Sequence, residues 1–392
     1  MSRVLLITPR SFEKPMDGGA IRVRAIYEAL TQQPNTAVDV VYTERRSRGA
    51  SYCPRDFLAR LRVLSSVIRY CSRAVLEQYS GEAVDEISSL LSTNHYDAFV
   101  VEYSHLYIYR KLLKTRVVFD LHNVESALKA NLAVSIGRKS PRALVRRIVA
   151  LLDSMALRRI ERSIVSREET VATVSDHDRQ LMLSFARSSD KTAQVVVAPN
   201  GVSDLAFELD PPRRDTVVFV AHLGWRPNVD AAMWLVREVW PLVQEQAPHL
   251  TLELIGRSPR PEVRALDGSS ITVHADVPDV LPFVARARVA TAPLLAAGGT
   301  RLKILEALGS GTPVVATPMG ALGLESLVGR GLSIVQRPVE FASAIVELAT
   351  GEVPDRSALR SGVQAYRWDQ SLQPLLSAVF VKTLRRTASD ER

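Results

Sequence analysis

Cysteine is almost absent: the 392 residues include two, Cys53 and Cys71. Two thiols cannot build a disulfide framework, and their spacing is not that of a metal site, so they read as incidental. Long apolar runs are missing too. None approaches the ~18 residues of a membrane span. The first run, Val4-Leu5-Leu6-Ile7, is too short for a secretion signal and reads as a buried strand, so a cytoplasmic protein is expected. Zinc-finger spacing and the aromatic ribonucleoprotein motif are also lacking, so no nucleic-acid partner is expected. A net charge of +8, carried by far more arginine than lysine, then leaves an anionic membrane or a phosphorylated substrate to explain it. Internal repeats and low-complexity tracts are absent.

The length suits two domains of roughly 150–200 residues each. In the N-terminal half, the short apolar runs Val4–Thr8, Val38–Tyr42, Ala98–Val101, Val117–Asp120, Thr170–Val174 and Gln194–Ala198 predict strands buried on both faces. Val23, Ile26, Tyr27 and Leu30 share one face of a helix. A second series, Val217–Val220, Thr251–Ile255, Thr272–His274, Val289–Ala292 and Pro313–Ala316, alternates with helices such as Val229–Glu245 and Leu302–Leu308. Strands alternating with helices predict an α/β protein with two doubly wound, parallel-sheet domains. The polar segment 203–215, with Pro211-Pro212-Arg213-Arg214, reads as a linker between domains 1–202 and 216–369.

Two arginine-rich stretches lie in the first domain. Pro54–Tyr79 sets Arg55, Arg60, Arg62, Arg69 and Arg73 among aliphatic residues, and Arg138–Arg167 includes Arg146, Arg147, Arg158 and Arg159. Both predict amphipathic helices. One reading is a membrane surface or anionic-acceptor patch, the other a solvated helix face.

The densest chemistry runs from Pro293 to Ala307, where a strand ends, Gly298-Gly299 turn the chain and Thr300 stands as a helix N-cap. Free N–H groups at such a start cradle phosphate. Arg301 and Lys303 occupy the first helical turn, where a cation opposes the helix dipole at ~0.3–1 kcal/mol each. A bound diphosphate would reverse that local charge. Glu306 shares a helix face with Lys303 and can accept two hydrogen bonds from ribose hydroxyls, or simply pair with Lys303.

Read with Gly309–Gly311, Pro313–Thr317 and Gly320–Glu325, this segment resembles glycosyltransferase family 4 of the GT-B fold, in a subgroup with a Gly-Gly-Thr-Arg-Leu-Lys loop. Further resembling segments run along nearly the whole chain. They are Gly18-Gly19, the histidine segment Asp120–Glu125, Thr173–Ser175, Pro199-Asn200-Gly201-Val202, Gly224–Asn228 and Trp368-Asp369. The resemblance implies two Rossmann-like domains facing each other across a cleft that closes on the donor. It also implies an acceptor-side first domain and a terminal helix, 370–392, that crosses back to it. Gly18, Gly19, Gly298, Gly299, Thr300, Glu306, Arg226 and Asn200 would then bind the donor, and His122, Arg301 and Lys303 would act in catalysis. His105 is a weaker acceptor candidate, and His222 reads as packing or site. Two departures stand out. Gly298 replaces the first of two glutamates the family spaces seven residues apart, and the usual Arg–Lys pair of the second domain's first loop is reduced to Arg226.

The implied reaction is a retaining hexosyl transfer from a nucleotide-diphosphate sugar, UDP-sugar first, to a polysaccharide, lipid-linked sugar or small natural product. No Asp-X-Asp motif is read anywhere in the chain, so neither a metal nor a separate cofactor is expected. Cations and a helix N-terminus would stabilise the leaving diphosphate instead. Peripheral contact with the inner face of the plasma membrane is expected from the arginine-rich stretches. A sugar-nucleotide epimerase and a catalytically degenerate partner subunit are the alternatives.

Overall fold

The computed structural model describes residues 2–9, 11–13, 17–43, 57–70, 73–114, 116–135, 141–167, 170–186, 193–296, 302–352 and 354–387. The chain divides into two units, Met1–Pro199 with Leu372–Arg392, and Asn200–Ser371.

In the first unit the described strands are β1 (Ser2–Thr8), β2 (Thr36–Tyr42), β3 (Ala98–Glu102), β4 (Arg116–Leu121), β5 (Thr170–Thr173) and β6 (Gln194–Val197). They form one sheet in the order β2-β1-β3-β4-β5-β6, and every pairing is parallel. All six predicted strands are present. β3 is buried at every residue, which is why its sequence is a continuous apolar run rather than an alternation. The described helices include α1 (Gly18–Thr31), α2 (Phe57–Arg69), α3 (Glu125–Ser135), α4 (Pro141–Val165) and α5 (Asp176–Leu183). A last helix of this unit, Gln373–Thr387, packs against β3, β4, β5 and β6.

The second unit contains β7 (Thr216–Val220), β8 (Thr251–Gly256), β9 (Ile271–Ala275), β10 (Val289–Ala292), β11 (Val314–Ala316) and β12 (Leu332–Ile334), ordered β12-β11-β10-β7-β8-β9. Alternate residues serve opposite faces. Val217, Phe219, Leu252 and Leu254 enter one core with Phe341 and Ile345, while Val218, Ile255, Ala290 and Ala292 enter another with Leu305 and Leu308. β12 was not predicted, because three residues are too few for a periodic signal. The predicted helix over 229–245 is interrupted by a wider π turn at Leu235–Val239, just before Pro241. Proline has no N–H to give and its ring crowds the carbonyl four residues back, so the extra residue in that turn makes room. The segment 203–215 lies in the second unit. It holds a short helix, Asp204–Glu208, with Ala206 buried, and Arg213 donates to the carbonyls of Ala287 and Gly311. Among the described residues no helix is long and apolar enough to cross a membrane.

Candidate functional site

In open parallel sheets, ligands bind beyond the carboxyl ends of the strands, where the strand order reverses. The first unit reverses between β1 and β3, and the second between β7 and β10. Gly18, Gly19 and His122 lie near the first of these points, and Lys303 lies near the second.

In the first unit Glu102 ends β3 and Asp120 lies beside it in register on β4, both fully buried. Two adjacent carboxylates in a dry place repel and must be compensated. Arg22, buried on α1, donates to both Asp120 oxygens, Nε to Oδ2 at 2.8 Å and Nη2 to Oδ1 at 2.6 Å, and Nη1 reaches the Pro199 carbonyl at 3.1 Å. His122 Nε2 lies 2.6 Å from Glu102 Oε2 and 3.3 Å from Asp120 Oδ2. Burial raises the Asp120 pKa, but Arg22 overrides it and holds this carboxyl well below the usual carboxylate range. Burial and the neighbouring Asp120 push Glu102 up to about 7. For His122, burial favours the neutral ring, yet hydrogen bonds to Asp120 and Glu102 win and raise it to about 9. The charged form of the imidazole is therefore favoured at neutral pH, held between the two carboxyl groups. With Nε2 engaged, Nδ1 is the nitrogen left to face a ligand.

Nδ1 looks toward α1. A methyl group on Gly19 would lie 3.5 Å from it and 2.3 Å from the Tyr103 hydroxyl. The Tyr103 ring lies 4.0 Å from that of His122, and Tyr103 adopts φ +64°, a strained backbone for a bulky side chain. His105 also stacks on Tyr103, at 5.2 Å between ring centres. Gly18 opens α1 behind the Asp17 cap, which accepts from the Ala20 amide at 3.0 Å. Gly18, Gly19 and His122 are thus brought together, with His105 one ring away.

Glu102, Asp120 and His122 are close enough to hold a metal ion. The guanidinium on both Asp120 oxygens already supplies the positive charge, so a cation does not suit this cluster. Asp176-His177-Asp178 has the Asp-X-Asp spacing, but both carboxylates are used locally. Asp178 accepts from the Ser175 hydroxyl at 2.6 Å, and Asp176 accepts from Arg179 and Gln180 within α5.

In the second unit, β10 ends at Ala292 and leads into the glycine-containing segment singled out in the sequence. Gly298, Gly299, Thr300 and Arg301 lie outside the described residues. The helix after them, α6 (Leu302–Gly309), has Ile304, Leu305, Ala307 and Leu308 buried. Lys303 Nζ sits 4.8 Å from the centre of the Phe219 ring, on β7 across the switch point. Burial pushes the Glu306 carboxyl up to about 7, with Lys303 pulling it down and Asp279 pushing it up. Gly320 approaches the end of β10 so closely that a Cβ would come within 2.0 Å of the Ala292 carbonyl. Arg226 is exposed and pairs with Asp230 at 2.7 Å and Glu262 at 3.5 Å. Asn200 is buried, and a Cβ on its neighbour Gly201 would strike the Trp368 ring at 2.3 Å. The Val202 amide donates to the Tyr366 carbonyl at 2.7 Å. His222 gives its carbonyl to Asn228 and its ring faces Gly224.

Sequence reasoning missed Arg22, Glu102 and Tyr103 as site residues. The available signal was an acid closing each of two neighbouring apolar strands, with a histidine two residues after the second.

Residues 214–351 match the family model described as glycosyl transferases group 1. No curated protein matches the chain in sequence. Among solved structures, the chain is similar to a sucrose-phosphate synthase from Thermosynechococcus elongatus, at 17% identity and a TM-score of 0.65 over 100% of both chains. It is similar to the lipopolysaccharide outer core galactosyltransferase WaaB, at 13% identity and a TM-score of 0.61 over 97% of this chain and 100% of that one. It is also similar to a structure described as trehalose-6-phosphate from E. coli bound with UDP-2-fluoro glucose, at 14% identity and a TM-score of 0.60, covering 96% and 99%. At such identities the likeness is one of fold, and that fold is GT-B.

Proposed function

We propose that this protein is a glycosyltransferase that moves a hexose from a nucleoside-diphosphate donor to a carbohydrate, lipid-linked or small-molecule acceptor. The observation that carries this reading is the second unit: its match to glycosyl transferases group 1 spans the switch point where the basic segment meets α6 and Glu306. A UDP-sugar is the first donor to try, because one structure of this fold holds UDP-2-fluoro glucose.

In this reading Glu306 accepts from the ribose hydroxyls. Gly298, Gly299 and the Thr300 cap offer amides to the diphosphate, while Arg301 and Lys303 oppose its charge. As the bond from the sugar carbon to the diphosphate oxygen breaks, negative charge grows on that oxygen, and preorganised cations and amides stabilise it. The acceptor oxygen then bonds to the same carbon on the face the diphosphate left, its hydroxyl proton passing to the departing phosphate oxygen, a retaining outcome that requires no metal. His122, oriented by Glu102 and Asp120, donates from Nδ1 to a sugar hydroxyl beside Gly19. Asn200 and Arg226 take part more weakly, since Arg226 is already paired and Asn200 is buried.

The replacement of a glutamate by Gly298 favours a second reading, a degenerate subunit that binds without turnover. A panel of sugar nucleotides incubated with the enzyme separates the readings. Release of free sugar and nucleoside diphosphate from at least one donor supports the transferase. Conversion to an isomeric sugar nucleotide supports an epimerase, and no turnover of any donor supports the degenerate subunit.

A further inference from the structure

Large exposed apolar side chains in the first unit concentrate on the two arginine-rich helices. The C-terminal half of α4 packs into the unit through Ala156, Leu157, Ile160 and Ile164, but from 144 to 152 no residue is buried. The N-terminal half and the turn after it instead present Val145, Ile148, Leu152 and Met155 outward, at 60%, 48%, 59% and 57% exposure. Their spacing places them along one stripe of the helix. On α2, Leu58, Leu61, Leu64 and Ile68 form a second exposed stripe, while Val63 and Val67 face the core. Both helices pack on the turn segment Ser104–Leu112, and α3, lying along α4, adds exposed Val134.

The charge carried by both helix segments themselves has one sign. Residues 141–152 contain Arg142, Arg146 and Arg147 with no acid, and α2 contains Arg60, Arg62 and Arg69 with no acid. Arg60 is paired with Asp85, whereas Arg62, Arg142 and Arg146 are exposed. A soluble surface has no use for this much outward apolar area. A second copy would set arginine against arginine across the contact.

We propose that the α4 stripe, joined by that of α2, docks on an anionic lipid surface. The apolar residues enter the boundary between headgroups and acyl chains, and the arginines beside them meet lipid phosphates. This interaction does not depend on the transferase reading and is tested without substrate.

The test is co-sedimentation of the full chain with phosphatidylcholine vesicles, with and without phosphatidylglycerol, at low and high salt. The protein should pellet with the anionic vesicles, less so at high salt, and remain in solution with the neutral ones. Arg142→Gln and Arg146→Gln should each weaken partitioning about five-fold, the equivalent of about 1 kcal/mol per basic residue. Ile148→Asp with Leu152→Asp should abolish it while near-UV circular dichroism stays unchanged; the arginine variants carry the test if that pair disturbs folding. Protein left in the supernatant with anionic vesicles at low salt overturns the proposal. So does pelleting that none of these substitutions changes. A dimer in solution that the Ile148→Asp, Leu152→Asp pair dissociates, without vesicle binding, assigns the stripe to a second copy instead and also overturns it.

Discussion

Gly19 has no room for a side chain, because a methyl group there would sit 2.3 Å from the Tyr103 hydroxyl. Gly19→Ala should therefore displace Tyr103 and, through ring contact, His122. Overpacking of this kind costs roughly 1–3 kcal/mol, and misplacing a reacting group by about 1 Å lowers kcat/KM on the order of 10²-fold. Tyr103→Phe removes the clashing oxygen, so the Gly19→Ala, Tyr103→Phe double variant should recover part of that loss. A double variant no better than Gly19→Ala alone would show that the glycine serves something else. In the second unit, Glu306→Ala should raise the donor KM more than it lowers kcat, as expected for binding shared by ground and transition states. Lys303→Ala should lower kcat by about 10²–10³-fold if its charge stabilises the departing diphosphate. Near-normal constants for both variants would reduce the pair to a local salt bridge. The Glu306 carboxyl, raised to about 7, should lose affinity for ribose hydroxyls as it protonates, so the donor KM should rise as pH falls below about 7. Glu306→Gln should flatten that dependence. The placement of Gly19 at a helix start and of His122 just past a strand was legible because each has a recognisable local neighbourhood. Arg22 was not, since a charged residue beside Val23 reads as solvent-facing until the carboxylate it neutralises, 98 positions away, is in place.

At the scale of elements, α3 begins against a buried acid from α4. Glu161 accepts from the Ser126 amide at 3.1 Å and also from the Ser126 hydroxyl, and burial pushes its pKa up to about 7 from the ordinary 4.5. The folded state thus binds this proton more tightly than the unfolded state. Its contribution to stability is present below about pH 4.5 and is lost as pH rises toward 7. A shift of that size corresponds to on the order of 3 kcal/mol. Glu161→Gln keeps the neutral shape, so the variant should gain on the wild type by that order between pH 5 and pH 8 in urea denaturation. A difference that does not change with pH would contradict the account. The strands were legible because each is a short apolar run closed by polar residues. β12 was too short to see, and the π turn before Pro241 appears only once the helix must continue past a residue that cannot donate.

At the scale of the whole molecule, each unit is a parallel sheet whose strand order reverses once, and the candidate chemistry sits at both reversals. The alternation of strands and helices made that architecture legible. The charge-compensated cluster in the first unit was not, because it depends on Glu102 and Asp120 falling in register on neighbouring strands. The central claim is that the second unit holds a nucleoside diphosphate. A ligand at a hundred times its Kd stabilises the folded state by about 2.7 kcal/mol, and each kcal/mol raises Tm by roughly 2–4 °C in a domain of this size. Thermal unfolding in the presence of a metal chelator, with UDP, GDP, ADP and the corresponding monophosphates, measures this directly. At least one diphosphate should raise Tm by about 5 °C or more, its monophosphate by less, and Glu306→Ala should remove most of the shift. An unchanged Tm with every saturating diphosphate would contradict the account.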